Sequence, residues 1–524
     1  MIYNRNTSVA AAILRFDGFR DENAVNRRQG SFMRFRQMGV LCIALLIATS
    51  LALGGCSTGS PVEEKKSVLD PENPVQIEVW TYYNGKQQQA FEQLVTDFNA
   101  TSGKDMGVNV AHASQGGVND LAQAVTDSAQ ELVGSASMPD MFLSYPDTAF
   151  VIDELDKVAD LSPYVSDEEK GGFVEDFLAE GDINGDGSFK VFPISKATET
   201  LQINLTDWKT FAEATGSTQD ELSTIEGVTA VAQRYYEWTD AQTETPNDGK
   251  PFFGRDSLAN YLLTGSMQLG HEMFDVQDNL CTPDIDKATM RQLWDNYYIP
   301  MVNGYFSSEG RFRSDALKTG DLICYVGSSS SVVYFPAEVT VDDQTSYPIE
   351  FGAFVAPVFA KGTPCAPQQG AGFVVTKADE RTETACVEFL KWLTEKEQNT
   401  GFSIEAGYIP VKKEALTEEN IESVAADMQT STKNYLINLP ATLETVEAGL
   451  YGNAPFKGGV EARVVLESSL SDRAKADRAA VLEAMASGAS REEAIARFAT
   501  DENFDAWFES FVNAVNATIG KSEH

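Results

Sequence analysis

The segment Val75–Phe98, VQIEVWTYYNGKQQQAFEQLVTDF, is the most direct guide to the architecture of this chain. Its first part alternates apolar and polar residues, as a half-buried strand does, with Val75, Ile77 and Val79 on one face. Apolar residues then recur at the i, i+3, i+4, i+7 spacing of an amphipathic helix, at Phe91, Leu94, Val95 and Phe98. The segment therefore predicts a strand followed by a helix.

The same alternation continues along the chain. We expect a second strand at Val108–Val110, a helix from Val118 to Ala129 and a third strand at Met141–Leu143. This order of strands and helices predicts a mostly parallel sheet with helices on both faces. Ligands of such sheets bind beyond the carboxyl ends of the strands. Three segments fall there: Trp80–Gly85, Gly116–Val118 and Tyr145–Asp147.

The C-terminal half repeats these patterns and ends in helices. Gly372–Thr376 is typical of a strand, and the apolar spacing from Ala385 to Leu393 predicts a helix. The tail from Ser471 to Ile519 is strongly helical, with Ser490 and Glu493 at the spacing of a capping box. A chain of 524 residues exceeds what one compact core usually supports, so we expect at least two lobes.

Composition excludes several classes of function. The chain has 78 Asp and Glu against 40 Lys and Arg, and its net charge of -38 disfavours binding to DNA or RNA. With three histidines, it has little material for histidine-based metal or acid–base sites. The cysteines beyond Cys56 match no zinc motif and no dense disulfide scaffold; they are Cys281, Cys324, Cys365 and Cys386. We expect buried thiols at Cys324 and Cys386, and no cofactor or metal.

The N-terminus resembles a bacterial lipoprotein signal. Arg34 and Arg36 precede an uncharged apolar run from Gly39 to Leu53, which is shorter than the roughly 20 apolar residues of a spanning helix. The run leads through Gly-Gly to Cys56, whose sulfur would carry the lipid. The alternative is an uncleaved membrane anchor with a chance cysteine.

These features give the expected N-terminal organisation. Residues 1–55 form an extension and signal peptide, with Met33 as a second possible start, and residues 56–74 form the lipidated cysteine and a flexible tether. The mature protein is then held by lipid on the outer face of the cytoplasmic membrane, facing the extracellular side.

No motif argues for catalysis, so we expect no enzyme. The segment from Asp182 to Gly187 matches the first half of a calcium loop, but Pro193 stands where that loop requires a bidentate glutamate. A turn built on Asn-Gly and Asp-Gly explains the same residues, and both interpretations stay open. His271-Glu272 has no second histidine at the zinc-protease spacing.

Aromatic residues near predicted strand ends and loops are the strongest hint of a binding site. Tyr and Trp cover the apolar faces of sugar rings while their polar tips take a hydroxyl. The residues in question are Trp80, Tyr82, Tyr83, Tyr145, Tyr298, Tyr305 and Tyr408. Clustering in one crevice would favour a ligand platform over ordinary packing.

From Val75 onward, five segments in order resemble the family 1 extracellular solute-binding proteins of ABC importers. They are Phe192–Asn204, Gly320–Ser331, Gln369–Thr376, Phe389–Leu393 and Gly407–Val411. The resemblance implies an α/β, two-lobed periplasmic-binding-protein-like fold of type II, with mixed sheets flanked by helices and a ligand cleft between the lobes. It also implies ABC permease subunits as partners, and a monomer.

By the same analogy the chain crosses between lobes three times, near Thr198, Gly370 and Tyr408. The N-terminal lobe then comprises residues 75–198 and 370–408, and the C-terminal lobe residues 199–369 and 409–524. Closure of the lobes around ligand is a hinge motion, and the permease would recognise the closed form.

The candidate ligand-binding residues combine the resemblance with the strand-end segments. They are Trp80, Tyr82, Asn84, Tyr145, Asp147, Lys196, Ser328, Ser329, Gly370, Tyr408 and Arg463. The guanidinium of Arg463 can fork onto a phosphate or carboxylate, and the alternative is a salt bridge to one of the many acidic residues.

The motifs are closest to glycerol-3-phosphate receptors, but the glycerol side departs from that pattern. Val118, Pro146 and Ala197 stand where tyrosine, glutamate and serine are expected. Lost polar contacts leave hydroxyls unpaired at about 1–3 kcal/mol each. We therefore expect a mono- or oligosaccharide first, and a phosphorylated polyol or glycerophosphodiester second. A surface glycoside hydrolase, with two cleft carboxylates about 5–9 Å apart, and an adhesin with no small-molecule pocket are the other hypotheses.

Overall fold

The computed structural model describes residues 68–342, 344–428 and 432–520; the signal segment and Cys56 lie outside them. The first part contains β1 (Val75–Thr81), α1 (Gly85–Ala100), α2 (Ser102–Met106), β2 (Val108–Ser114), α3 (Val118–Ala129), β3 (Met141–Ser144), α4 (Pro146–Asp153), α5 (Asp167–Gly171), α6 (Glu175–Ala179) and β4 (Phe192–Pro193). The strand and helix predicted around Val75–Phe98 are confirmed, as are the next strand, helix and strand.

The middle part contains β5 (Glu199–Asn204), α7 (Leu205–Thr215), α8 (Ile225–Asp240), β6 (Phe253–Arg255), α9 (Leu258–Gln268), β7 (Phe274–Gln277), β8 (Leu280–Pro283), α10 (Lys287–Asn303), α11 (Arg313–Lys318), β9 (Cys324–Ser328), β10 (Glu338–Asp342), β11 (Thr345–Pro348), β12 (Phe351–Val355) and β13 (Ala366–Pro367). Two 3-10 turns occur at Gln219–Ser223 and Ser329–Tyr334.

The last part contains β14 (Gly372–Val375), α12 (Glu380–Leu393), α13 (Lys396–Ala406), α14 (Glu418–Asp427), α15 (Lys433–Ala448), β15 (Leu450–Tyr451), α16 (Gly459–Ala486), α17 (Arg491–Ala496) and α18 (Asp501–Gly520). The capping box of Ser490 and Glu493 is confirmed at the start of α17. Cys324 and Cys386 are buried free thiols, as expected.

The first sheet has the strand order β2-β1-β3-β14-β4. Strands β1, β2 and β3 are parallel, whereas β14 runs antiparallel to both β3 and β4. The prediction of a mostly parallel sheet holds for the first three strands and is wrong for the direction of β14, whereas the mixed sheets implied by the family resemblance are confirmed. Gly372, the first residue of β14, pairs with Ser144 at the carboxyl end of β3. The chain therefore enters the sheet at the edge where the parallel strands end, and β14 runs antiparallel to them.

The second sheet has the order β12-β5-β9-β6 and is also mixed. β5 is antiparallel to β12 and β9, and β6 is parallel to β9. Its hydrophobic core includes Trp294 and Tyr298 of α10, together with Leu466 of α16 and Trp507 of α18. A separate core surrounds the first sheet, so the described chain forms two α/β lobes: lobe 1 around the first sheet and lobe 2 around the second.

The predicted crossings lie side by side between the lobes. Ala197 pairs with Gln369, and Lys196 pairs with Ile409, in isolated antiparallel bridges. Gly370 has φ +89°, and a Cβ there would lie 2.5 Å from the Ser195 carbonyl oxygen, so this crossing requires glycine. The residue limits given above for each lobe stay a prediction. Among the described residues, no helix combines the length and apolar character that a membrane span needs.

Candidate functional site

A cleft of about 530 Å³ lies between the two lobes. Lobe 1 contributes Val118, Asn119, Tyr145, Pro146, Asp147 and Glu180, and lobe 2 contributes Asn260, Thr264, Val460, Arg463, Val464 and Glu467. Segments beside the crossings add Gln368, Gln369, Tyr451 and Asn453. Amides, carboxylates and two tyrosines thus line one cavity together with apolar side chains, the usual composition of a small-molecule site. An adhesin without a small-molecule pocket does not fit this cavity.

The wall from lobe 1 is built where β3 passes directly into α4. Tyr145 is the N-cap residue of α4, Pro146 follows it, and Asp147 lies in the first turn. Burial raises the pKa of Asp147 to about 6; the charge of Glu180 adds to the rise and that of Arg463 opposes it. The buried Oδ1 of Asp147 accepts no hydrogen bond from the described residues. The cleft thus holds a carboxylate oxygen that no donor among the described residues satisfies.

The wall from lobe 2 presents Arg463 on α16. Its Nη2 donates to Oδ1 of Asn260 at 2.7 Å, and Nδ2 of Asn260 donates to Oε1 of buried Glu199 at 2.7 Å. Because the side-chain N–H of Asn260 donates to Glu199, its side-chain oxygen faces the guanidinium of Arg463. The alternative of a salt bridge is not observed: Arg463 is exposed to the cleft and forms no ion pair within the described part of the chain.

The other two cleft carboxylates already have protein partners. Glu467 accepts hydrogen bonds from the Ser257 hydroxyl and from the backbone N–H groups of Leu258 and Ala259 at the start of α9. Glu180 pairs with Lys196, whose ammonium also donates to the carbonyl of Gly370 at 3.0 Å. Lys196 is 1% exposed, so it holds Glu180 in place from behind the cleft.

Four of the predicted tyrosines come together, and one of them lines the cleft: Tyr83 packs against Tyr82 and Tyr408 in the core, with ring centroids 5.4 and 6.2 Å apart, and Tyr82, Tyr145 and Tyr408 lie nearer the cleft. The rings of Tyr82 and Tyr145 are stacked, with centroids 6.4 Å apart and an interplanar angle of 9°. Tyr82 also interacts with Tyr408, and burial raises the pKa of the hydroxyls of Tyr82, Tyr145 and Tyr408. Tyr145 reaches the cleft, and Tyr82 and Tyr408 are buried behind it.

Two other aromatic residues lie elsewhere, so the prediction of a single crevice cluster was wrong for them. Tyr298 stacks on Trp294 at 3.6 Å in the core of lobe 2 and donates to Asp477. Tyr305 packs against Tyr236. Periodicity alone could not tell these core positions from strand-end loops.

The remaining predicted site residues are not among those that line the cleft, and they belong to the framework of the protein. Trp80 is buried in lobe 1 and its ring N–H donates to Glu78 at 2.8 Å. Asn84 is the N-cap residue of α1, and its carbonyl accepts from the hydroxyl of Tyr334 at 3.3 Å. Ser329 bonds to the backbone of Thr198 in both directions, at 2.7 and 3.2 Å.

Ser328 completes this framework. Its hydroxyl caps the following 3-10 turn by accepting from the backbone N–H of Ser330. Three positions depart from the pattern of glycerol-3-phosphate receptors. Of these, Val118 and Pro146 line the cleft, whereas Ala197 is fully buried at a crossing. The sequence-based list missed Asn260, which is an amide within the apolar helix α9. The local signal for it is an amide flanked by the apolar residues Leu258, Ala259 and Leu262.

The segment from Asp182 to Gly187 forms a turn. The carboxylate of Asp182 accepts from the backbone N–H groups of Asp186 at 3.1 Å and Gly187 at 2.9 Å. Within the residues that the structure describes, no group of three or more His, Cys, Asp or Glu side chains is arranged to hold a metal ion. The contacts support the turn interpretation over the calcium loop.

Comparison with solved structures confirms the two-lobed fold. The chain is 18% identical to the cyclic α-maltosyl-1,6-maltose binding protein of Arthrobacter globiformis, with a TM-score of 0.59 over 85% of this chain and 99% of that one. It is 17% identical to UgpB of Mycobacterium tuberculosis in complex with glycerophosphocholine, with a TM-score of 0.59 over 85% and 100%. The GacH receptor of Streptomyces glaucescens, solved with acarbose, is 14% identical with a TM-score of 0.58 over 84% and 98%.

Among curated proteins no match was found. A family model described as bacterial extracellular solute-binding protein matches residues 93–430, which is more than half of the chain. This match agrees with the order of the five sequence motifs and with a cleft between two α/β lobes. The protein therefore belongs to the family of bacterial extracellular solute-binding proteins.

Proposed function

We propose that this protein is the substrate-binding lipoprotein of an ABC importer. It captures a mono- or oligosaccharide between its lobes and delivers it to membrane permease subunits. Family membership supports the transport role, and the saccharide rests on the chemistry of the cleft. The proteins of Arthrobacter globiformis and Streptomyces glaucescens, whose structures match this fold, bind a cyclic maltosyl saccharide and acarbose.

The main support for a saccharide ligand is that Asp147 and Arg463 lie on opposite walls of the same cleft. Asp147 offers an acceptor that no donor in the described part of the chain satisfies, and Arg463 has N–H donors besides the one that bonds to Asn260. A hydroxyl both donates and accepts, so the several hydroxyls of a neutral saccharide suit both groups. Amides at Asn119, Gln369 and Asn453 extend this pattern, and Tyr145 and Tyr451 supply ring faces.

A phosphorylated polyol or glycerophosphodiester is the second candidate. Arg463 is an exposed guanidinium without an ion-pair partner among the described residues, which suits an anion. UgpB of Mycobacterium tuberculosis, with its bound glycerophosphocholine, shares this fold. Against this candidate, the charges of Asp147 and Glu180 lie in the same cleft and repel a phosphate. The carboxylates therefore favour the neutral ligand.

A thermal-shift panel tests the proposal directly. The purified protein is heated with maltose, maltotriose, acarbose, glycerol-3-phosphate, glycerophosphocholine and amino acids. A ligand at 100 times its dissociation constant stabilises the folded state by about 2.7 kcal/mol. We expect stabilisation by at least one neutral saccharide. A response confined to the phosphorylated compounds would replace the saccharide by the second candidate, and a flat panel would contradict both.

The same reagents test for turnover. Glu467 and Glu180 are held by protein donors, which suits a binding site better than a glycosidase pair. We expect maltotriose to be recovered intact after prolonged incubation, as measured by chromatography. Release of glucose or maltose would return the protein to the hydrolase hypothesis.

A further inference from the structure

A two-residue hairpin turn of lobe 2 reaches across to lobe 1. Strands β7 and β8 pair antiparallel and are joined by Asp278 and Asn279, whose φ angles are +51° and +59°. Two successive left-handed residues are the signature of a tight hairpin turn, in which Asn and Gly are favoured. The hairpin itself belongs to lobe 2, because Val276 and Cys281 pack against the lobe 2 core.

The Asn279 side chain joins the two lobes through its amide group. Nδ2 donates to the carbonyl oxygen of Ile183 at 3.0 Å and to that of Pro455 at 3.0 Å. Ile183 belongs to the lobe 1 core, whereas Pro455 precedes Phe456, which packs on Phe274 in lobe 2. Both protons of one amide are thus used, one on each lobe.

The acceptor in lobe 1 is held in a rigid turn. Besides the two backbone bonds that Asp182 accepts, Nδ2 of the neighbouring Asn184 donates to Asp153 at 2.8 Å. Lys190 also pairs with Asp153, at 2.6 Å. A carbonyl fixed in this way is a firm anchor for the hairpin.

The contact also lies over a second cavity. This cavity has a volume of about 360 Å³ and shares Pro146, Glu180 and Asn453 with the main cleft. Asn279 and Ile183 both line it, so the contact bounds one end of the space between the lobes.

We propose that the Asp278–Asn279 turn is a clasp between the lobes. The Asn279 amide ties the turn at Ile183 to lobe 2 and favours the arrangement in which the lobes are close together. Opening of the cleft breaks the bond to Ile183 while the bond to Pro455, within lobe 2, is retained. The clasp does not depend on the identity of the ligand and therefore stands apart from the saccharide proposal.

Hydrogen–deuterium exchange of the ligand-free full chain tests the clasp. Asn279→Gly removes the amide but keeps the left-handed backbone, because glycine adopts positive φ without strain. We expect exchange to rise about tenfold both in the hairpin, residues 274–283, and in the distant turn, residues 182–187, because two neutral hydrogen bonds are lost.

Asp278→Gly is the matched control, since it places glycine in the same turn and leaves the Asn279 amide in place. It should leave exchange of residues 182–187 unchanged. Asn279→Asp offers a second variant with no side-chain donor and should behave as Asn279→Gly does. If both Asn279 variants accelerate exchange in the hairpin alone, or in neither segment, the clasp is overturned. Circular dichroism of each variant confirms that the fold is retained.

Discussion

Asp147 is a buried carboxyl group that lowers the stability of the ligand-free protein when it is charged. Its buried Oδ1 accepts no hydrogen bond from the residues that the structure describes, so its charged form is poorly compensated in the ligand-free state. Burial raises its folded-state pKa from 3.8 to about 6. The folded protein therefore holds the proton more tightly than the unfolded chain does. The resulting loss of stability is small at low pH, grows as the pH rises through the window from 3.8 to about 6, and is complete above it.

We therefore predict that Asp147→Asn stabilises the ligand-free protein at pH 7.5. A difference of about two pKa units corresponds to at most about 3 kcal/mol, and partial exposure reduces it to about 1–2 kcal/mol. The gain should shrink when unfolding is measured at pH 4.5. Asp105→Asn, at an exposed position of α2, is the control and should leave the free energy of unfolding unchanged at both pH values. Equal stability of wild type and Asp147→Asn at both pH values would show that Asp147 has a partner in solution.

At the scale of elements, α16 serves both the cleft and the frame of lobe 2. The guanidinium of Arg463 donates a hydrogen bond to Asn260 on α9. Glu467, one turn later on α16, accepts hydrogen bonds from the first turn of α9. The carboxylate satisfies two N–H groups that a helix start leaves unpaired and lies at the positive end of the α9 dipole. Glu467 thus lies at the cleft, but its hydrogen bonds hold α16 against the start of α9 within lobe 2.

Glu467→Ala should therefore lower the free energy of unfolding by about 2–3 kcal/mol, because three hydrogen bonds to a charged group are lost. Glu483→Ala, at an exposed position on the same helix, is the control and should stay within about 0.5 kcal/mol of wild type. Denaturant unfolding measures both. A small effect of Glu467→Ala would mean that Ser257 alone caps α9.

At the scale of the whole molecule, the lipid anchor that we propose on Cys56 would serve the transport role of the two lobes. A receptor that hands its ligand to a permease gains from being tethered beside it, since a tether raises the effective concentration of the partners. The stretch from Ser57 to Pro74 has the polar, proline-containing composition of such a tether.

We predict that Cys56→Ala abolishes incorporation of labelled palmitate and moves the protein from the membrane fraction to the soluble fraction. Fractionation of a bacterial host that expresses the full chain measures both effects. Retention of Cys56→Ala in the membrane would instead support an uncleaved anchor formed by the run from Gly39 to Leu53.

Local patterns of sequence were sufficient for the elements and the family. The spacing of Phe91 and Phe98, and the alternation in β1, depend on neighbours within a few residues, and the structure confirms the strand and helix that they predict. The order of five short motifs was enough for the two-lobed fold. The direction of β14 was beyond such patterns, because strand direction depends on where the chain re-enters the sheet.

The site depended on tertiary structure. Tyr145, Asp147 and Arg463 were predicted and do line the cleft, but their partners come from distant parts of the chain. Asn260 accepts a hydrogen bond that orients Arg463, and Lys196 forms an ion pair with Glu180. Residue types and periodicity determined which elements form, and the resemblance of five ordered motifs to a known family indicated the family. Only the packing of the two lobes decided which polar groups face the cleft and which satisfy each other, because those pairings join residues that local sequence does not connect.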